Sequence, residues 1–170
     1  SLYFPKSIKD IDRFALHNTE WYRGAKKDLI YVNNILYSYR GSASEISDTL
    51  FKENTNRISS YCFYNNDKLK TIKLPSSIIS IGESAFEGCK ELKNIILPYE
   101  LEELKDRAFK DCENLKNIQF NLFIENIGKY CFAGCHELRK IKLPTSIKKM
   151  DDGTFYNCSG LQQINIPDSV

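Results

Sequence analysis

The chain has 170 residues, of which 42% are hydrophobic and 27% charged, enough for one domain with a sizeable core and too apolar for a disordered segment. Its 24 basic and 22 acidic residues give a net charge of +2 and a pI near 8.1, which argues against a dedicated nucleic-acid binder. No apolar run approaches the roughly 18 residues of a spanning helix, so no membrane insertion by this segment is expected, and six cysteines are too few for a disulfide scaffold.

In chain order, the first motif is Pro5-Lys6-Ser7-Ile8-Lys9-Asp10-Ile11, followed by Ala15-Leu16. It returns as Pro75-Ser76-Ser77-Ile78-Ile79-Ser80-Ile81 with Ala85-Phe86, at an offset of 70 residues. The next segment, Asp28 to Tyr39, reads DLIYVNNILYSY. Two β-prone runs flank Asn33-Asn34, a pair that tolerates the positive φ of a tight hairpin turn. Gly41-Ser42-Ala43-Ser44 follows as a loop. Trp21, Tyr22, Tyr31, Tyr37 and Tyr39 make this region aromatic-rich. It is expected to pack on a solenoid edge, with a projecting binding element as the alternative.

From Ile46 a 23-residue frame appears loosely, with Ile46, Phe51, Ile58, Cys62 and Phe63 at its apolar positions. From Leu69 it is strict: Leu69, Leu92, Leu115, Leu138 and Leu161 are 23 residues apart. Four units cover residues 69–160 without insertion, and a fifth begins as LQQINIPDSV. In each unit L-x-x-I-x-L alternates like a strand, with Ile72 and Leu74 on one face and Thr71 and Lys73 on the other. Pro75, Pro98, Pro144 and Pro167 end these strands. A second apolar pair, Ile78 and Ile81, predicts another extended segment. Gly82 to Cys89 predicts a short helical turn closed by glycine. One unit cannot bury its apolar side alone, but stacked units can.

The pattern L-x-x-I-x-[IL]-P-x-S-[IV]-x-x-I-x-x-x-[AC]-F-x-x-C strongly resembles the BspA-like leucine-rich repeat family. The resemblance covers residues 46–170, and 5–19 more weakly. It implies an α/β leucine-rich-repeat solenoid of about seven coils, roughly 34 Å long at about 4.8 Å per coil. Short parallel strands and short helical turns would alternate, interrupted by one β-hairpin coil. The expected organisation is a single domain over 1–170. Residues 1–21 form a partial repeat, 22–45 the irregular hairpin coil and 46–170 the regular repeats. The chain begins and ends inside the repeat, so a longer protein with flanking repeats is expected. The resemblance also implies a cell-surface or secreted protein of a host-associated microbe, acting in adhesion and protein binding without catalysis. The third unit departs from the pattern at Asn121 and Cys131.

Cys89, Cys112, Cys135 and Cys158 recur at one repeat position, and Cys62 and Cys131 fall where Ala85 and Ala108 stand. Buried free thiols are expected. Ladder disulfides and a metal cluster at Cys131, Cys135 and His136 are the weaker alternatives. His17 and His136 have no evident nucleophile partner, and no hydrolase, zincin or P-loop motif occurs. Hence no catalytic residue, metal ligand or cofactor is assigned.

The four residues after each repeat leucine are KTIK, KNII, KNIQ, RKIK and QQIN. These 20 positions hold seven basic residues and no acid, where composition predicts about three of each sign. Lys73, Lys140 and Lys142, with Thr71, Asn94, Asn117 and Gln119, are therefore candidate binding residues on the ladder face. The plainer reading is that the lysine stems cover apolar edges. Ile96, Tyr99, Leu122 and Phe123 fall at positions polar in most other units. They form a second candidate, an exposed apolar patch that either binds a partner or is covered by a neighbouring domain. The expected partner is a host protein or an anionic glycan, and no nucleic acid. The alternative is a structural spacer that presents another domain.

Overall fold

The computed structural model describes residues 3–170. One short helix, α1 (Glu20–Arg23), precedes thirteen short strands. These are β1 (Leu29–Val32), β2 (Ile35–Tyr39), β3 (Glu45–Ile46), β4 (Arg57–Ile58), β5 (Thr71–Ile72), β6 (Ser80–Ile81) and β7 (Asn94–Ile96). They continue as β8 (Glu103–Leu104), β9 (Asn117–Gln119), β10 (Asn126–Ile127), β11 (Lys140–Lys142), β12 (Lys149–Met150) and β13 (Gln163–Asn165). The strands alternate between two walls of a solenoid. One wall is the seven-stranded sheet β1-β2-β4-β6-β8-β10-β12, parallel except for the β1–β2 hairpin. The other carries six strands, β3-β5-β7-β9 followed by β11-β13. Residues 5–21 add turns but no strand: Ile8 N–H donates to the Pro5 carbonyl as Ile78 N–H does to Pro75.

The β-hairpin is built as its sequence requires. Asn33 takes a φ of 52° at the turn, and β2 then pairs in parallel with β4. The hairpin is thus the terminal part of the sheet, with Tyr37 and Val32 fully buried beneath Phe4, Trp21 and Tyr22.

Register corrects the frame at its start. Arg57 pairs with Ser80, 23 residues on, but Ile46 pairs with Ile72, not with Leu69. Three extra residues therefore lie between β3 and β4. They are taken up around a 3-10 turn, Asp48–Leu50, whose entry is capped by the Ser47 hydroxyl. Phe51 remains buried while Leu50 is exposed.

The third side of each coil is made of turns, not helix. Two residues per coil adopt left-handed backbone. Tyr61, Ser84, Arg107, Tyr130 and Gly153 form one series, and Asn65, Gly88, Asp111, Gly134 and Asn157 the other. These reversals stop helical propagation and aim backbone donors at the next coil. Phe86 N–H reaches Ala108 O at 2.8 Å, and Phe109 N–H reaches Cys131 O at 2.9 Å.

The core is a set of ladders. Phe63, Phe86, Phe109, Phe132 and Phe155 stack with centroids 4.9–5.6 Å apart and planes within 11°. The described cysteines are all free thiols. The ladder wall splits between β9 and β11, in the coil where Phe120 replaces the strand-end leucine. Its ring packs edge-on against Phe132, 5.9 Å away. Asn121 replaces the proline without loss: its amide donates to Pro98 O and Leu101 O, and its carbonyl accepts from Phe123 and Ile124 N–H.

Candidate functional site

Alternation along the ladder strands sets what the wall shows to solvent. Ile72, Ile95, Ile118 and Ile141 point inward and are buried. Thr71, Lys73, Asn94, Ile96, Asn117, Gln119, Lys140, Lys142, Gln163 and Asn165 are exposed. Parallel in-register pairing lines them into two columns. Thr71, Asn94 and Asn117 form part of one, and the Asn117 amide donates to the Asn94 carbonyl at 3.2 Å. Ile96 and Gln119 continue the other. Lys140 and Lys142 stand opposite Gln163 and Asn165.

The lysines are not equivalent. Lys73 is ion-paired to Asp48 at 2.9 Å, and this contact holds the Asp48 carboxyl below its ordinary range. Among the described residues, Lys140 and Lys142 have no carboxylate partner. Sequence reasoning missed Asp48 because it lies in the three-residue insertion, outside the repeat frame. It missed Glu45 because the insertion that follows shifts the register of β3, which places this carboxylate opposite Thr71. The wall is therefore acid-free only from β5 onward.

The four apolar candidates are all exposed: Ile96 by 68%, Tyr99 by 63%, Leu122 by 64% and Phe123 by 49%. The Tyr99 and Phe123 rings meet edge to face at 5.1 Å. They come from adjacent coils, and the Asn121 turn positions Phe123.

The remaining chemistry-bearing groups sit elsewhere. His136 Nδ1 lies 3.2 Å from the Ser159 hydroxyl, a partner 23 residues on that the sequence reading did not foresee. Both side chains reach solvent, where water competes for the hydroxyl proton, and nearby Glu113 is held by Lys90 at 2.8 Å. His17 meets Phe14 edge-on at 5.9 Å and lies tilted against Tyr22 at 5.1 Å. The cysteine thiols are raised by burial, Cys89 to about 12 and Cys158 to about 11, so they are poor nucleophiles. Among the described residues, no three metal-ligating side chains gather, and no helix is long and apolar enough to cross a membrane.

Comparison with known proteins fits this architecture. A leucine-rich repeat protein of T. pallidum has a solved structure that is 31% identical, with a TM-score of 0.75, covering 78% of this chain and 63% of that one. One from Bacteroides ovatus is 28% identical, with a TM-score of 0.57, covering 75% and 38%. The pneumococcal vaccine antigen PcpA, 23% identical with a TM-score of 0.65 over 81% and 32%, shares the fold. The chain thus spans less than two thirds of the length of each of these structures. A comparison with curated proteins finds no match. The profile of the BspA type leucine rich repeat region matches residues 56–170 in six copies. The chain belongs to the BspA-type leucine-rich repeat family.

Proposed function

We propose that this chain is a non-enzymatic recognition module of a cell-surface or secreted protein, binding a host protein or an anionic glycan through its strand-ladder face. The observation that carries this reading is the wall from β5 to β13. Its exposed strand positions hold lysines, amides, one hydroxyl and one isoleucine, with no carboxylate. The acids stand on other surfaces, as at Glu102, Glu103 and Glu125. Segregated charge draws an oppositely charged partner and speeds encounter. A rigid wall of amides then supplies hydrogen bonds without ordering cost. The cell-surface or secreted setting rests on family resemblance.

The test is binding of the folded chain to epithelial cells and to a panel of anionic glycans, at about 50 and about 300 mM salt. Binding that weakens steeply with salt supports the ladder. No binding at either salt supports the spacer reading instead.

A further inference from the structure

A second cationic site lies away from the ladder, where the hairpin coil meets the first regular coil. Arg13 is half-buried, yet among the described residues it has no carboxylate within ion-pair distance. Its guanidinium sits 5.4 Å from the ring centres of both Phe14 and Tyr64. Arg40 stacks 5.2 Å over the Tyr22 ring, and its Nη1 donates to the Tyr22 carbonyl at 2.9 Å. Both arginines and Lys68 line one cleft of about 390 Å³, floored by β2 and the turn after β4. The only carboxylate lining it is Asp67, which pairs with none of the three. Arg107 and Arg139, by contrast, do hold carboxylates, at 2.9 and 3.2 Å.

Ring faces attract a guanidinium but occupy none of its in-plane donors. Stacking also fixes the plane of the fork, so the donors are oriented before a ligand arrives. Three cations against one acid, two of them held by aromatics, make a cleft suited to an oxyanion. The rest of the lining is hydroxyl, amide and aromatic surface: Ser42, Asn66 and Tyr64. Those groups match the hydroxyls and the CH face of a sugar. β2 is paired on both sides, by β1 and β4, so it offers no free edge to an extended peptide.

We propose that this cleft binds an anionic sugar, whose sulfate ester or carboxylate engages Arg13 and Arg40 while the sugar ring meets Tyr64, Ser42 and Asn66. The site is separate from the ladder face and stands or falls without it.

The experiment is an NMR titration of the isotope-labelled chain with galactose 6-sulfate and, separately, N-acetylneuraminic acid. The expected result is saturable shifts of amides in residues 38–42 and 61–68 with at least one of the two. Which sugar binds tells a sulfate ester from a carboxylate. Arg13→Gln with Arg40→Gln should weaken this binding by about tenfold or more, with amide shifts elsewhere unchanged. Arg40→Gln alone, at an exposed position, gives the same readout if the double variant fails to fold. Lys73→Glu with Lys140→Glu and Lys142→Glu should leave it intact. Equal binding of inorganic sulfate would overturn the sugar, and tighter binding of a sulfotyrosine peptide would replace it. Shifts mapping elsewhere, or surviving the arginine variants, would overturn the site.

Discussion

The thiol of Cys89 donates to the carbonyl oxygen of Phe63 at 3.1 Å, one coil back in the stack. The contact repeats from Cys112 to Phe86, from Cys135 to Phe109 and from Cys158 to Phe132. Each thiol thus fills the core and ties its coil to the preceding one. Cys112→Ala removes both the bond and most of a buried side chain. It should cost about 1–3 kcal/mol, read as a lower urea midpoint with the slope unchanged. A loss below about 0.5 kcal/mol would show that the repeated cysteine is interchangeable with any small residue.

The same burial makes stability pH-dependent on the alkaline side. Desolvation raises Cys62, Cys112, Cys131 and Cys135 well above the ordinary thiol range, and Cys89 to about 12. In the unfolded chain these thiols titrate near about 8.5. Above that pH the unfolded state binds fewer protons than the folded one, so unfolding free energy falls as pH rises. Stability should be flat below about pH 8 and should decline steadily from about pH 8.5 towards pH 11. Burial also raises Tyr31 and Tyr37, which steepen the upper end. Urea melts across this range test it, and Cys112→Ala with Cys135→Ala should flatten the slope. An unchanged slope in that variant would show that these two thiols do not carry the effect.

Much of this fold was legible because each coil puts the same kind of side chain in the same place. Leu69 and its successors, the alternation Ile72–Lys73–Leu74 and the period of Phe86 follow from one rule applied repeatedly. What escaped lies where that rule is broken or carries no signal. Ile46 and Phe51 fit an apolar frame whether or not three residues are inserted between β3 and β4, so the shift to Ile72 was invisible. Ser84, Arg107 and Tyr130 adopt left-handed backbone without being glycine, so nothing marked those turns. On the candidate ladder, alternation placed Lys140 and Lys142 outward, but Asp48 beside Lys73 belongs to the insertion. The cleft of Arg13 and Arg40 joins segments 27 residues apart that share no repeat. The only hint was arginines set among aromatic residues.

Coil spacing depends on close backbone approach at Gly128. A Cβ there would stand 2.6 Å from Asp106 N and Lys105 C, both backbone atoms that cannot rotate away. Gly128→Ala should therefore destabilise the chain by about 1–3 kcal/mol through overpacking. At Arg107, where φ is 56°, glycine should relieve about 1 kcal/mol of left-handed strain. That gain is offset by the exposed ion pair to Glu83 and by the greater freedom of glycine in the unfolded chain. Thermal melts of the two variants should shift in opposite directions, Gly128→Ala downward and Arg107→Gly level or upward. A tolerated Gly128→Ala would mean that the stack can expand locally at little cost.

The two candidate surfaces of the ladder side call for opposite salt behaviour. Among the described residues Lys140 and Lys142 have no carboxylate partner, so an anionic partner docked on them should lose affinity as salt rises. Lys73 is already neutralised by Asp48, and its reversal should matter less than theirs. Lys140→Glu with Lys142→Glu should weaken binding by about tenfold or more at ~50 mM salt. Adding Lys73→Glu should change it little further. The edge-to-face pair of Tyr99 and Phe123 offers an apolar contact instead. Tyr99→Ala with Phe123→Ala should reduce a salt-insensitive component and leave the salt slope unchanged. Because all of these side chains are exposed, circular dichroism and melting temperature should match the parent chain. If both variant sets bind like the parent to the same cells and glycans, neither surface is the recognition face.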